Sequence, residues 1–206
     1  MDCAELGARV RTIHCITGLP PRMLQRLLFN EPNSIPRGRA PDSPEWYHSA
    51  NLLYRTDASL FSAVYQRLRR YGFGPADALT GAYRHYRLLT AAPSRISFDR
   101  AFDLASHIDG IWVAKVASFE VIACPNCASE FLVSLGTVPT AANCPFCKLL
   151  QRYRSDPRVQ SAFPVRPLPD PGAIADGWKA LQAIAAAGVV ANSAMPGSTD
   201  QGEHHG

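Results

Sequence analysis

Cys124-Pro125-Asn126-Cys127 and Cys144-Pro145-Phe146-Cys147 are two C-P-x-C pairs separated by 16 residues. Each pair can set two thiolates on one turn, and the intervening segment is long enough to run out and back. Four sulfurs can therefore converge tetrahedrally on one ion at about 2.3 Å. The proline after each first cysteine fixes φ in the turn that aims backbone N–H groups at sulfur. Between the pairs, Phe131-Leu132-Val133-Ser134-Leu135 with Gly136 as a break predicts a short hairpin within residues 128–137. Such a hairpin is too small to fold unaided, and a bound metal would supply the core it lacks. A closed four-thiolate set leaves no coordination position for water or substrate, so one structural Zn2+ per chain is the leading reading. A four-thiolate iron centre, a pair of redox dithiols and structural disulfides are the alternatives. No His-x-Glu precedes these cysteines, which excludes the zinc-deaminase pattern.

A chain of 206 residues can bury one main core and append a small satellite. Its hydrophobic content of 47% is that of a globular protein, and its longest apolar run falls far short of the roughly 20 residues that span a bilayer. Met1-Asp2-Cys3-Ala4-Glu5 carries acids where a secretory signal would be basic. A cytoplasmic protein with no membrane contact, its thiols reduced or metal-bound, is the expectation. The net charge of +4 is uneven: residues 1–160 carry 19 Lys/Arg against 13 Asp/Glu, and residues 161–206 carry 2 against 4. Arg far outnumbers Lys, and its planar fork suits phosphates and guanine edges.

Residues 3–17 place Leu6, Val10, Ile13 and Cys15 or Ile16 at near-helical spacing, ended by Thr17-Gly18. Pro20 and Pro21 open a second helix with Met23, Leu24, Leu27 and Leu28 as its predicted buried face and Arg22 and Arg26 exposed. Helix, Gly turn, helix is the layout of a helix-turn-helix and equally of a plain helical hairpin. The connection 30–44 is Pro-rich and carries Arg37 and Arg39, a basic arm able to lie along phosphates. Asp57 is the expected N-cap of a helix buried through Leu60, Phe61, Val64, Tyr65 and Leu68, with Arg67, Arg69 and Arg70 at its C-terminal end. Further helices use Ala78, Leu79, Ala82, Tyr83, Tyr86 and Leu89, then Phe98, Phe102, Ala105 and Ile108 behind a Ser97 cap. Phe61, Tyr65, Tyr83 and Tyr86 serve either the core or a docking face. His14, His48, His85 and His107 are scattered singly, without a nucleophile or acid at motif spacing, and no catalytic set is expected. Residues 111–122 read as an extended segment. Lys148, Arg152, Arg154 and Arg158 follow the last cysteine as a basic tract expected to lack helical spacing and to contact phosphates. Proline-rich 163–172 reads as a linker, Ala-rich 174–190 as a weak helix, and 192–206 as a flexible tail.

The pattern as a whole resembles FlhC, a family of bacterial flagellar transcriptional activators. The resemblance is carried by Leu6-Gly7-Ala8-Arg9, Thr17-Gly18-Leu19, Arg22-x-Leu24-x-Arg26-Leu27, the Pro-rich arm before Trp46-Tyr47, Ala82-Tyr83-Arg84-x-Tyr86 and the four cysteines. It spans residues 6–158, with Pro20-Pro21 where the family tends to start its second helix with Ser. It implies a mainly helical protein with a C-terminal four-Cys zinc module, assembled with FlhD into a heterohexamer that activates class II flagellar operons on double-stranded promoter DNA, with RNA polymerase as a further partner. The expected division is a helical domain over 1–112, a zinc module and basic tract over 113–160, and a linker and tail over 161–206. The expected DNA contacts are Arg22, Arg26, Arg37, Arg39, Lys148, Arg152, Arg154 and Arg158. The competing function is a zinc-stabilised adaptor whose partner makes the DNA contacts.

Overall fold

The computed structural model describes residues 2–28, 43–90 and 93–165, together with Gly172 and Lys179. Residues 1–164 form one compact unit and residues 165–206 a second, in which only Val165, Gly172 and Lys179 are described. The arm with Arg37 and Arg39, most of the proline-rich linker, the Ala-rich stretch (Lys179 apart) and the tail all lie outside the described residues.

Among the described residues the chain is mainly helical, with one small sheet. The elements are α1 (Asp2–Glu5), α2 (Val10–Thr17), α3 (Pro21–Leu28), α4 (Glu45–His48), α5 (Leu52–Arg70), α6 (Pro75–Leu89) and α7 (Phe98–Asp109). Then follow β1 (Phe119–Ala123), β2 (Glu130–Ser134), α8 (Pro145–Tyr153) and α9 (Pro157–Ala162). The amphipathic periods of α5, α6 and α7 meet in one core of Phe61, Tyr65, Leu79, Tyr83, Tyr86, Phe98 and Leu104. The four aromatics that could have served a docking face are thus internal. Leu89, expected on the buried face of α6, is instead exposed near the helix end.

Helix α5 is the hub, touching α4, α6, α7, α8 and both strands. Its N-cap is Asn51, whose Oδ1 accepts the Tyr54 N–H at 3.2 Å. Asp57, expected to cap this helix, lies mid-helix and fully buried. Helical spacing continues upstream through Leu52 and Leu53, and Asp57 has a different task. Its carboxylate accepts Arg95 Nη1 at 2.9 and 3.0 Å and the Tyr86 hydroxyl at 2.8 Å. Arg95 in turn donates to the Ala162 carbonyl at 3.0 Å and stacks on Phe163, which fastens the end of α9 to the helical core. Burial pushes the Asp57 carboxyl above its ordinary range, with Arg95 and Tyr86 pulling it back.

The first helix predicted over 3–17 is two helices, because Gly7 turns left-handed at φ 86° and ends α1. Arg9 and Thr12 then dock α2 on Asp99, in the first turn of α7; the Arg9 N–H donates at 3.0 Å and the Thr12 hydroxyl at 2.6 Å, with the Arg9 guanidinium paired to the same carboxylate. Gly18, at φ 72°, ends α2 as expected, and α3 follows. Only Leu24 of α3 is buried, however; Met23 and Leu27 are 49% and 58% exposed. The helix meets the core along one narrow stripe, and the other half of its apolar residues faces outward.

The hairpin forms between different partners from those expected. β2 pairs antiparallel with the upstream β1, Phe119 opposite Ser134 and Ala123 opposite Glu130, so the first cysteine pair sits in the hairpin loop. Phe131, Leu132 and Val133 are all buried because both faces of β2 are covered. Leu132 belongs to the main core, whereas Phe131 and Val133 pack with the cysteines. The outer edge of β2 is capped by side chains: the Leu132 N–H donates to Ser59 Oγ at 3.2 Å and its carbonyl accepts the Tyr47 hydroxyl at 2.6 Å. Arg67 and Arg70 of α5 hold Glu130 at 3.0 and 3.1 Å. Gly110, at φ 67°, ends α7 where a Cβ would lie 2.7 Å from the Ala117 backbone nitrogen, so the chain can double back closely into β1.

Candidate metal centre

Two local devices bring the cysteines together. The β1–β2 loop carries Cys124 and Cys127, closed by the Ala128 N–H to the Cys124 carbonyl at 2.9 Å, with Ala128 held at φ 57°. Cys144 is the N-cap of α8, Pro145 occupies its first turn, and the Cys144 Sγ accepts the Cys147 N–H at 3.5 Å. Cysteine thus stands where Ser or Asp usually caps a helix, and the positive helix end stabilises charge on sulfur.

The four Sγ atoms lie within 4.8 Å of one another. The Cys124–Cys147 and Cys127–Cys144 separations are both 3.7 Å. A tetrahedron of sulfurs about 2.3 Å from a central ion has edges of about 3.8 Å, whereas a disulfide requires about 2.05 Å. The cysteines therefore sit at metal-ligand spacing and none is in a disulfide. Neutral donors face the sulfurs: the Asn126 N–H reaches Cys124 at 3.4 Å, and Asn126 Nδ2 reaches Cys147 at 3.5 Å. These donors offset thiolate charge and orient the ligands. Hydrogen bonds from Ser129 hold the Cys127 thiol down, to about 6, while burial pushes Cys144 up to about 12. Four thiolates converging without an acid, base or open position can hold a metal ion and fix a shape. Nothing in the sequence marks Asn126 or Ser129, since each is a single polar residue within or beside a C-P-x-C loop.

The basic residues fall in two regions. Arg22 and Arg26 lie exposed on α3 beside Met23 and Leu27. The tract after the last cysteine is helical, contrary to expectation: Lys148 and Arg152 are one turn apart on α8, Arg154 follows at its C-cap, and Arg158 lies in α9 behind the Asp156 cap. The capping signals of Cys144-Pro145 and Asp156-Pro157 explain the difference. Arg152, Arg154 and Arg158 are exposed, and none of the tract's cations is ion-paired among the described residues. By contrast Arg9, Arg67, Arg69, Arg70 and Arg95 are each paired with a carboxylate.

No helix among the described residues is long and apolar enough to cross a membrane. No curated protein matches the chain. A family model described as flagellar transcriptional activator (FlhC) matches residues 1–159.

Proposed function

This chain belongs to the FlhC family of flagellar transcriptional activators, and from that membership we propose that it is a DNA-binding activator subunit. It acts in the cytoplasm with FlhD, as a heterohexamer on class II flagellar promoters, and engages RNA polymerase there. The ion held by Cys124, Cys127, Cys144 and Cys147 is zinc, one per chain, and its role is structural.

The observation that supports this reading is that Cys144 belongs to the four-cysteine cluster and is also the N-cap of α8. Fixing the cysteines fixes the origin and direction of a helix that carries Lys148 and Arg152, with Arg154 and Arg158 beyond it. A rigidly placed row of unpaired cations loses little entropy on meeting phosphates. On this reading the tract grips the backbone of the duplex, Arg37 and Arg39 extend that grip, and Arg22 and Arg26 on α3 read base edges.

The adaptor reading has one observation in its favour, the outward-facing Leu19, Met23 and Leu27, which suit a protein partner better than a groove. A salt series separates the two. With the complex intact, replacing Lys148, Arg152 and Arg154 by Ala should lower the slope of log K against log salt by about 0.9 per phosphate lost, equally on promoter and random duplex. Replacing Arg22 and Arg26 should cost about 1–3 kcal/mol per base contact on promoter alone. If neither set changes binding to either duplex, the chain is the adaptor.

A further inference from the structure

Asn51, at the start of α5, lines two adjoining clefts. One, of about 150 Å³, is lined by Asn51, Leu52, Leu53 and Val159 together with Arg152, Arg158 and Asp156. The other, of about 240 Å³, is formed by Trp46, Ala50, Asn51, Tyr54 and Arg100. The guanidinium of Arg100 lies 4.9 Å from the Trp46 ring centroid and 5.3 Å from that of Tyr54. Stacking holds Arg100 in place while leaving its in-plane N–H groups unspent, and no carboxylate pairs with it among the described residues. Asp156, the acid lining the smaller cleft, caps α9, its Oδ1 accepting the Arg158 N–H at 3.0 Å.

We infer that this face is a contact for the backbone of duplex DNA, with Arg100 taking a phosphate in one cleft and Arg152 and Arg158 taking phosphates in the other. The inference rests on the DNA-binding reading above and adds to it Arg100, which is far from the basic tract in sequence. Chemistry and size favour a phosphodiester. Both clefts fall below the roughly 300 Å³ at which small-molecule sites begin. Their cationic groups are arginines, whose forks match phosphate oxygens. Unpaired bases are the poorer fit, because the Arg100 guanidinium already covers a face of each of the two aromatic rings. The strand-contacting surface then runs from the first turn of α7, past the start of α5, to α8 and α9, and it is assembled by the packing of α8 on α5.

The test uses the full-length metal-bound chain assembled with FlhD, and a random-sequence duplex across a salt series. Arg100→Gln should lower the slope of log K against log salt by about 0.9, and Arg152→Gln with Arg158→Gln by about twice that. Arg100→Lys should keep the native slope. A slope unchanged in Arg100→Gln while the double variant lowers it would overturn the assignment of Arg100 and leave the DNA-binding reading standing. Affinity lost by one constant factor at every salt would also overturn it, since Arg100 would then act only by packing Trp46 and Tyr54. A polyglutamate peptide released by Arg100→Gln, with duplex binding unaltered, would make this an acidic-protein surface instead. No duplex binding by the native complex at any salt defeats the DNA-binding reading and this inference together. Phenylglyoxal modification of the native protein needs no variant: Arg100 should be protected by the duplex, and equal modification with and without it would refute the contact.

Discussion

Replacing Arg95 with Met removes the one cation that faces Asp57 among the described residues, and the structure sets the size of the effect. Asp57 is fully buried, and Arg95 Nη1 contacts both of its oxygens within 3.0 Å. Methionine fills much of the space but leaves a buried carboxylate with, among the described residues, only the Tyr86 hydroxyl as donor. Breaking a buried pair from one side costs about 3–5 kcal/mol. An independent bound comes from the escape open to the carboxyl, which is to take up a proton. From an ordinary value near 3.9, protonation at pH 7 costs about 1.36 kcal/mol per unit, or about 4 kcal/mol. The two figures agree, and they are a large part of a domain stability of roughly 5–15 kcal/mol.

The second figure also gives the pH dependence. Burial already raises the Asp57 carboxyl with Arg95 present, and removing Arg95 raises it further. A carboxyl raised in the folded state contributes stability below its unfolded value and loses it as pH climbs toward the folded value. The penalty of Arg95→Met should therefore stay small from pH 4 up to the raised value that Asp57 holds in the native protein, and grow by up to about 1.36 kcal/mol per unit above it. Urea unfolding at several pH values measures this directly. Adding Asp57→Asn should restore most of the loss and flatten the pH dependence, and proteolysis should detect a loosened α9 in the single variant. A penalty under about 1 kcal/mol at pH 7, or one independent of pH, would refute the account of Arg95 and Asp57 as a buried pair that latches α9.

Tyr47→Phe should cost about 1–3 kcal/mol, because the buried Leu132 carbonyl loses the hydroxyl donor on its outer edge; an unchanged urea midpoint would show that this edge is not held by Tyr47. For the metal centre, any of the four Cys→Ser substitutions should release the ion and expose residues 119–153 to protease. Since burial holds the Cys144 thiol near 12 until a metal displaces its proton, metal affinity should fall as pH falls, by about tenfold per unit for each proton displaced. Competition with a chromophoric chelator reads this, and an affinity flat with pH would contradict it.

What the sequence determined by itself was local in origin. Two C-P-x-C pairs at close spacing, a Gly that must turn left-handed after α2, and periodic apolar faces over α5, α6 and α7 depend on residues within a few positions of one another. Their consequences were legible as a metal-ligand set, a helix end and a helical core. The buried role of Asp57 was not legible, because its partner Arg95 lies 38 positions away and an Asp early in a helical pattern looks like a cap. The strand partner of β2 was missed for a similar reason. Pairing with 119–123 places the first cysteine loop in the hairpin turn, and both faces of β2 find cover only once α5 and the cysteines are in place. Nor could spacing show which arginines are consumed by carboxylates and which stay unspent. Arg67 and Arg70 look as free in the sequence as Arg152 does, yet Glu130, 60 or more positions away, holds both. Helix periods and ligand turns are set by bonded neighbours and short-range sterics, whereas charge pairing and strand choice are settled only when distant segments compete for the same buried surface.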